Sequence, residues 1–147
     1  MRRVELARDL VILTCAISAG IHGALVPGHF AEGTAAGVGF ATATVSLAAV
    51  AVAVTLRPTN VVNAATIVLL AGLLLGYALA ATTGLPVLHS DREPVDGLGL
   101  ATKGVELVGL LAASTLIRRP SVAATLRTRK GKTTWTRRER HAQFLSS

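Results

Sequence analysis

Residues 61–83 read VVNAATIVLLAGLLLGYALAATT, and this stretch decides the fold. It holds no charged residue and is about as long as the roughly 20 residues that a helix needs to cross a bilayer. Three similar stretches run over about 10–26, 37–56 and 97–117. The sequence therefore predicts an all-α protein: a four-span transmembrane up-and-down helix bundle over residues 1–118, followed by a basic C-terminal tail over 119–147.

The composition agrees with this prediction. The chain of 147 residues is 51% hydrophobic but only 3% aromatic, so Ala, Val, Leu and Gly fill most apolar positions. A helix at the surface of a soluble protein carries polar residues along one face, and these stretches carry almost none. A chain this short cannot bury four such helices on all sides, which argues against a soluble bundle.

The distribution of charge predicts the orientation. Lys and Arg number 15 against 8 Asp and Glu. Arg2, Arg3 and Arg8 precede the first span, Arg57 separates the second from the third, and a basic run follows the fourth. Because basic residues stay on the cytoplasmic side, we expect a multi-pass protein of the plasma (inner) membrane with both termini cytoplasmic. The connections over about 27–36 and 84–96 should then lie outside.

These two outer connections, with the adjoining end of the first span, contain histidines and carboxylates. Imidazole nitrogen together with carboxylate oxygen suits zinc, copper or iron. No HExxH or CxxC spacing is present, so ordinary polar loops are the alternative. Haem held by two histidines, for instance His22 and His89, is a further alternative. The candidate metal ligands are His22, His29, Glu32, His89, Asp91 and Glu93.

The fourth span contains an ionisable pair, Lys103 and Glu106. Their separation of three positions lets the side chains meet on one helical face, and groups at this depth should face the protein interior. Asp96 falls on roughly the same stripe, and Thr102, four positions before Glu106, can hydrogen-bond toward it.

A second polar stripe lies on the first span, where Thr14, Ser18 and His22 recur at steps of four. If the two stripes face each other, they form a polar seam in the outer half of the bundle. One hypothesis is a proton or ion relay, or a ligand pocket, in which Glu106 exchanges protons. The alternative is a neutralised Lys and Glu pair that only holds helices together.

Small residues mark one face of the third span. Gly72, Gly76, Ala80 and Gly84 recur every four residues, the small-xxx-small pattern that allows close helix approach in lipid. We therefore expect this face to contact another helix, either within the chain or in a second copy.

The tail is rich in Lys and Arg and includes one Trp, which is typical of a segment bound to anionic lipid head groups. Nucleic-acid binding is not favoured, because no recognition fold and few aromatic residues are present. The predicted lipid-binding residues are Arg127, Arg129, Lys130, Lys132, Trp135, Arg137 and Arg138.

The motifs of several enzyme classes are missing from the sequence. It has no GxxxxGK[ST] phosphate loop, no GxSxG elbow and no dinucleotide fingerprint, so an enzyme is not favoured and no catalytic residue is assigned. The leading hypothesis is a membrane protein with a transition-metal site at its outer face. The alternatives are an accessory or scaffold subunit of a larger membrane complex, and an oligomeric proton-linked small transporter.

Two segments carry a resemblance: HGALVPGHFAE over 22–32 and TTGLPVLHSDREPVDGLGLATKGVE over 82–106. They resemble small uncharacterised four-helix integral membrane proteins of high-GC actinobacteria, over roughly residues 8–118. In that pattern an acidic residue often follows the first Pro, where this chain has Gly28. The resemblance implies the four-helix fold and no particular reaction. It directs attention to His22, His29, Glu32, His89 and Glu106.

Overall fold

The computed structural model describes residues 2–83 and 95–117, and these form four α-helices. They are α1 (Arg2–Glu32), α2 (Thr34–Leu56), α3 (Asn60–Thr82) and α4 (Gly97–Leu116). All four are long and apolar enough to cross a membrane, which confirms the predicted helical class and the number of long apolar helices. Seven predicted lipid-binding residues and three predicted metal ligands lie outside the described residues: Arg127, Arg129, Lys130, Lys132, Trp135, Arg137, Arg138, His89, Asp91 and Glu93.

The first helix is longer than the sequence predicts. The expected connection over 27–36 is wrong, because α1 continues through Pro27 to Glu32 and only Gly33 separates it from α2. Proline removes one backbone hydrogen bond, but α1 continues past Pro27, and at its end the Gly33 amide donates to the His29 carbonyl at 2.9 Å. As α2 begins, the Gly37 amide donates to the Gly33 carbonyl at 3.0 Å. Apolar spanning helices tolerate such a proline where other groups satisfy the backbone.

Side chains cap the starts of the last two helices. The Thr59 side chain accepts a hydrogen bond from the Val62 amide at 3.3 Å, and the Asp96 carboxylate accepts one from the Gly99 amide at 2.5 Å. Each cap satisfies an amide that has no partner inside its helix. The predicted spans over 37–56, 61–83 and 97–117 therefore agree closely with α2, α3 and α4.

Neighbouring helices run antiparallel, as an up-and-down bundle requires. α1 packs against α2 and α4, α4 also packs against α3, and the contact between α2 and α3 is the smallest of the four. We call the end that holds the α1–α2 turn the Gly33 end, and the end that holds the α2–α3 turn the Thr59 end. α4 begins at the Gly33 end and finishes at the Thr59 end, where the Asn63 amide group donates to the Leu116 carbonyl at 3.4 Å.

The apolar core occupies the half of the bundle nearer the Thr59 end. At its edge α1 and α4 approach closely, because the Cβ that Gly109 lacks would lie 2.9 Å from the Thr14 Cβ. Large apolar side chains also cover the outside of the helices, among them Leu13, Val45 and Val68. The buried core residues are Val11, Cys15, Ala19, Leu47, Ala51, Val54, Leu70, Ala112, Ala113 and Leu116.

Candidate functional site

A buried carboxylate joins α1 to α4 beyond the apolar core. Glu106 is fully buried, and its two oxygens have different partners. The Ser18 hydroxyl donates to Oε1 at 2.8 Å, and the Lys103 ammonium donates to Oε2 at 2.7 Å. The two polar stripes face each other here, as the hypothesis of a polar seam requires, because the stripe on α1 supplies Ser18 and the stripe on α4 supplies the ion pair.

His22 extends this cluster toward the Gly33 end. Its Nδ1 lies 2.9 Å from the Ser18 carbonyl oxygen, an atom that can only accept, so Nδ1 carries the proton in that hydrogen bond. Its Nε2 then faces Glu106 Oε1 at 4.0 Å, which is too long for a hydrogen bond. Ser18 therefore orients both the imidazole and the carboxylate.

Two polar residues of α4 have partners other than the predicted ones. Thr102 does not use the hydrogen bond toward Glu106 that its spacing allows, because its hydroxyl donates to the Leu98 carbonyl at 2.8 Å. A carbonyl four residues earlier in the same helix is always within reach of a threonine hydroxyl. Asp96 caps α4 and does not contact the ion pair.

The Lys103 and Glu106 pair is locally neutral. Removing two charges from water costs several kcal/mol per ion unless each is compensated by its partner and by hydrogen bonds. Glu106 obtains both from Lys103 and Ser18. The Lys103 side chain is 15% exposed against 0% for Glu106, so the lysine is the member of the pair that reaches open space.

That space is a pocket of about 490 Å³ in the half of the bundle nearer the Gly33 end. All four helices contribute to it, and apolar surface exceeds polar surface. Lys103 and His22 lie in its wall, whereas Glu106 lies behind them and does not line it. The lining residues are Ile21, His22, Leu25, Gly28, His29, Glu32, Ala36, Gly39, Phe40, Ala43, Gly72, Leu73, Gly76, Tyr77, Ala80, Asp96, Leu98, Gly99, Thr102 and Lys103.

Two aromatic residues of the wall were not predicted from the sequence. The Tyr77 hydroxyl is buried and has no hydrogen-bond partner among the described residues, and its ring lies 5.5 Å from the Lys103 ammonium. Phe40 stacks on His29 with ring centroids 3.6 Å apart. The sequence did offer one signal for these two residues. The chain has a single Tyr and three Phe, so an aromatic side chain inside an apolar stretch is unusual in it.

The small-residue face of α3 lines this pocket. The predicted close contact of Gly72 and Gly76 with another helix is wrong within the described chain, because no atom lies within 4 Å of a Cβ added at either position. Both residues, with Ala80, face the pocket instead. Gly84 lies outside the described residues. Packing of this face against a second copy stays a prediction.

The predicted metal ligands are only partly brought together. His29 Nδ1 lies 2.8 Å from Glu32 Oε2, one turn apart on α1, and both line the pocket with His22. The described residues contain no group of three His, Cys, Asp or Glu side chains placed to hold a metal ion. Because His89, Asp91 and Glu93 are outside those residues, the zinc, copper or iron site and the haem alternative stay predictions.

Comparison with known proteins adds no further evidence on function. No protein-family model, no curated protein and no solved structure matches the chain. The resemblance to four-helix membrane proteins of actinobacteria therefore stays a prediction, and the function must be argued from the pocket.

Proposed function

We propose that this protein binds a small molecule inside the membrane, in the pocket nearer the Gly33 end. The observation that carries the proposal is the pocket itself, about 490 Å³ of space among four helices with a few polar groups in an apolar wall. Ligand sites are of this size and are lined in this way, with few polar groups that orient the ligand. Lys103, His22 and Tyr77 are those groups here.

The exposed surface supports a location within a bilayer. Apolar side chains such as Leu75, Leu107 and Leu111 lie on the outside of the bundle. Contact of these side chains with water is unfavourable, whereas contact with lipid tails is not. Arg2, Arg3 and Arg57 lie at the Thr59 end. By the positive-inside rule we propose that this end is cytoplasmic, which puts the pocket in the outer half of the inner membrane.

A pocket-filling variant tests binding. Gly76→Leu puts a large side chain into the pocket, where no atom now lies within 4 Å of the added Cβ. Gly104→Leu is the matched control, because Gly104 also has free space around it but lies on the exposed surface of α4, away from the pocket. Native mass spectrometry of detergent-purified protein should show a bound small molecule in the wild type and the control, and none in Gly76→Leu.

The same experiment can contradict the proposal. Equal retention of the bound molecule in Gly76→Leu and Gly104→Leu would place it on the outer surface. Circular dichroism of both variants must show unchanged helix content, so that loss of binding is separated from loss of fold. A wild-type sample that carries no small molecule, even after purification from its native membrane, would also contradict the proposal.

Two sequence-based hypotheses concern partners and transport. An accessory or scaffold subunit, and an oligomeric proton-linked transporter, both stay predictions. The transporter would use the same pocket, but Glu106 is separated from it by Lys103 and His22. A proton exchanged at Glu106 would therefore pass through one of these two side chains.

A further inference from the structure

We infer that the ligand of this pocket is an uncharged amphiphile, with an apolar body and a single oxygen head group that accepts hydrogen bonds. The inference rests on the proposed function, because it names the chemical class that the proposed pocket selects. Three observations carry it: the charge balance of the wall, the donors that face the pocket, and the exposed flank between α2 and α3.

The wall offers no uncompensated positive charge among the described residues. Lys103 is neutralised by Glu106 at 2.7 Å, and His29 is paired with Glu32 at 2.8 Å. Asp96 adds a carboxylate to the lining. An anionic ligand would thus bring an unpaired charge into a region of low dielectric, which is costly. A cationic group placed beside Tyr77 would lie next to the Lys103 ammonium, which is 5.5 Å from the centre of that ring.

Two hydrogen-bond donors of the wall have capacity left for a ligand. The Tyr77 hydroxyl is buried without a partner among the described residues, which costs free energy until a ligand supplies one. The Lys103 ammonium has three donor hydrogens, of which one goes to Glu106. These two groups lie near each other, since the ammonium is 5.5 Å from the centre of the Tyr77 ring. Tyr77 and Lys103 both line the pocket, so the oxygen of a carbonyl or similar group placed there would have hydrogen-bond donors beside it.

The opposite part of the pocket is apolar and reaches the surface. Gly39 of α2 and Gly72 of α3 line the pocket and are also exposed. They lie on the two helices whose mutual contact is the smallest of the four in the bundle. A Cβ added to either glycine would meet no atom of another helix within 4 Å. In a bilayer this exposed side of the pocket, between α2 and α3, faces lipid tails. The apolar part of a ligand therefore lies there without a desolvation cost.

Three probes of equal chain length separate the head-group chemistries: methyl decyl ketone, dodecane and dodecanoate. The full chain is reconstituted in nanodiscs, and binding of each radiolabelled probe is measured by equilibrium dialysis above the partition into protein-free nanodiscs. We expect the ketone to bind at least tenfold more tightly than either other probe. Tyr77→Phe, which removes only the hydroxyl, should weaken ketone binding about five- to tenfold and leave dodecane binding unchanged.

Each other outcome is informative. Tighter binding of dodecanoate, or equal binding of all three probes, overturns the inferred ligand class while leaving the pocket as a binding site. Unchanged ketone affinity in Tyr77→Phe overturns the assignment of the head-group position. No binding of any probe, together with no molecule retained in native mass spectrometry, overturns the proposed function as well. Gly76→Leu must abolish ketone binding if the site is this pocket.

Discussion

The ion pair between Lys103 and Glu106 is the interaction whose loss should cost most. Glu106→Gln keeps the shape of the side chain but removes the charge that compensates the Lys103 ammonium. Breaking a buried ion pair by removing one partner costs roughly 3–5 kcal/mol, mainly because the other charge is left uncompensated. The Lys103 side chain is 15% exposed toward the pocket, so we expect the lower end, about 3 kcal/mol.

A double-mutant cycle isolates the charge effect. Lys103→Met removes the cation, and the double variant with Glu106→Gln leaves no charge at the site. We expect the double variant to regain most of the stability that Glu106→Gln loses. Glu32→Gln is the matched control, because its pair with His29 is on the surface, with the Glu32 side chain 52% exposed, and should cost less than about 1 kcal/mol.

The assay is reversible unfolding of the detergent-solubilised protein, followed by circular dichroism, for the four members of the cycle and the control. The reasoning is refuted if Glu106→Gln costs no more than Glu32→Gln, or if the double variant is no more stable than Glu106→Gln alone. The first result would mean that water reaches the pair. The second would mean that shape and hydrogen bonding, and not charge balance, determine the stability there.

Two further predictions concern packing and metal. Gly109→Ala should destabilise the fold by about 1–3 kcal/mol, because the new Cβ would lie 2.9 Å from the Cβ of Thr14. Gly104→Ala, where the added Cβ lies in open space, should not destabilise it. If thermal unfolding gives the two variants the same stability, the close contact between α1 and α4 is contradicted. The metal hypothesis predicts that the purified wild-type protein contains stoichiometric zinc, copper or iron, and that His22→Ala and His89→Ala each lose it. Elemental analysis of the purified proteins measures this. Wild-type protein that is free of metal, although the cells that produced it were supplied with all three metals, would count against the hypothesis.

It was predictable that α1 and α4 each turn a polar stripe toward protein, although not that the two stripes meet. Residues four apart lie on one helical face, so the stripe through Ser18 and the stripe through Glu106 each had to face protein if the helices span lipid. The hydrogen bond of 2.8 Å between these two side chains agrees with that argument. The starts of α3 and α4 have a comparable local cause, since Thr59 and Asp96 are residue types that cap helices.

The pocket was not predictable in the same way. Gly72 and Gly76 fit a contact motif, but the motif does not say how α3 lies against α2, and that arrangement depends on packing along both whole helices. The position of the Tyr77 hydroxyl against Gly99 depends likewise on how α3 lies against α4. Pro27 misled for a different reason, because a proline stops a helix in water more effectively than in an apolar span.

The central claim is that lipid surrounds a bundle whose two ends lie on opposite sides of one membrane. Cysteine labelling tests this most directly, in a variant in which the buried Cys15 is replaced by Ala. Ala35→Cys is at the Gly33 end and Pro58→Cys is at the Thr59 end, and both positions are exposed. A membrane-impermeant maleimide should label Ala35→Cys only in right-side-out vesicles and Pro58→Cys only in inverted ones. Labelling of both positions from the same side would contradict the account.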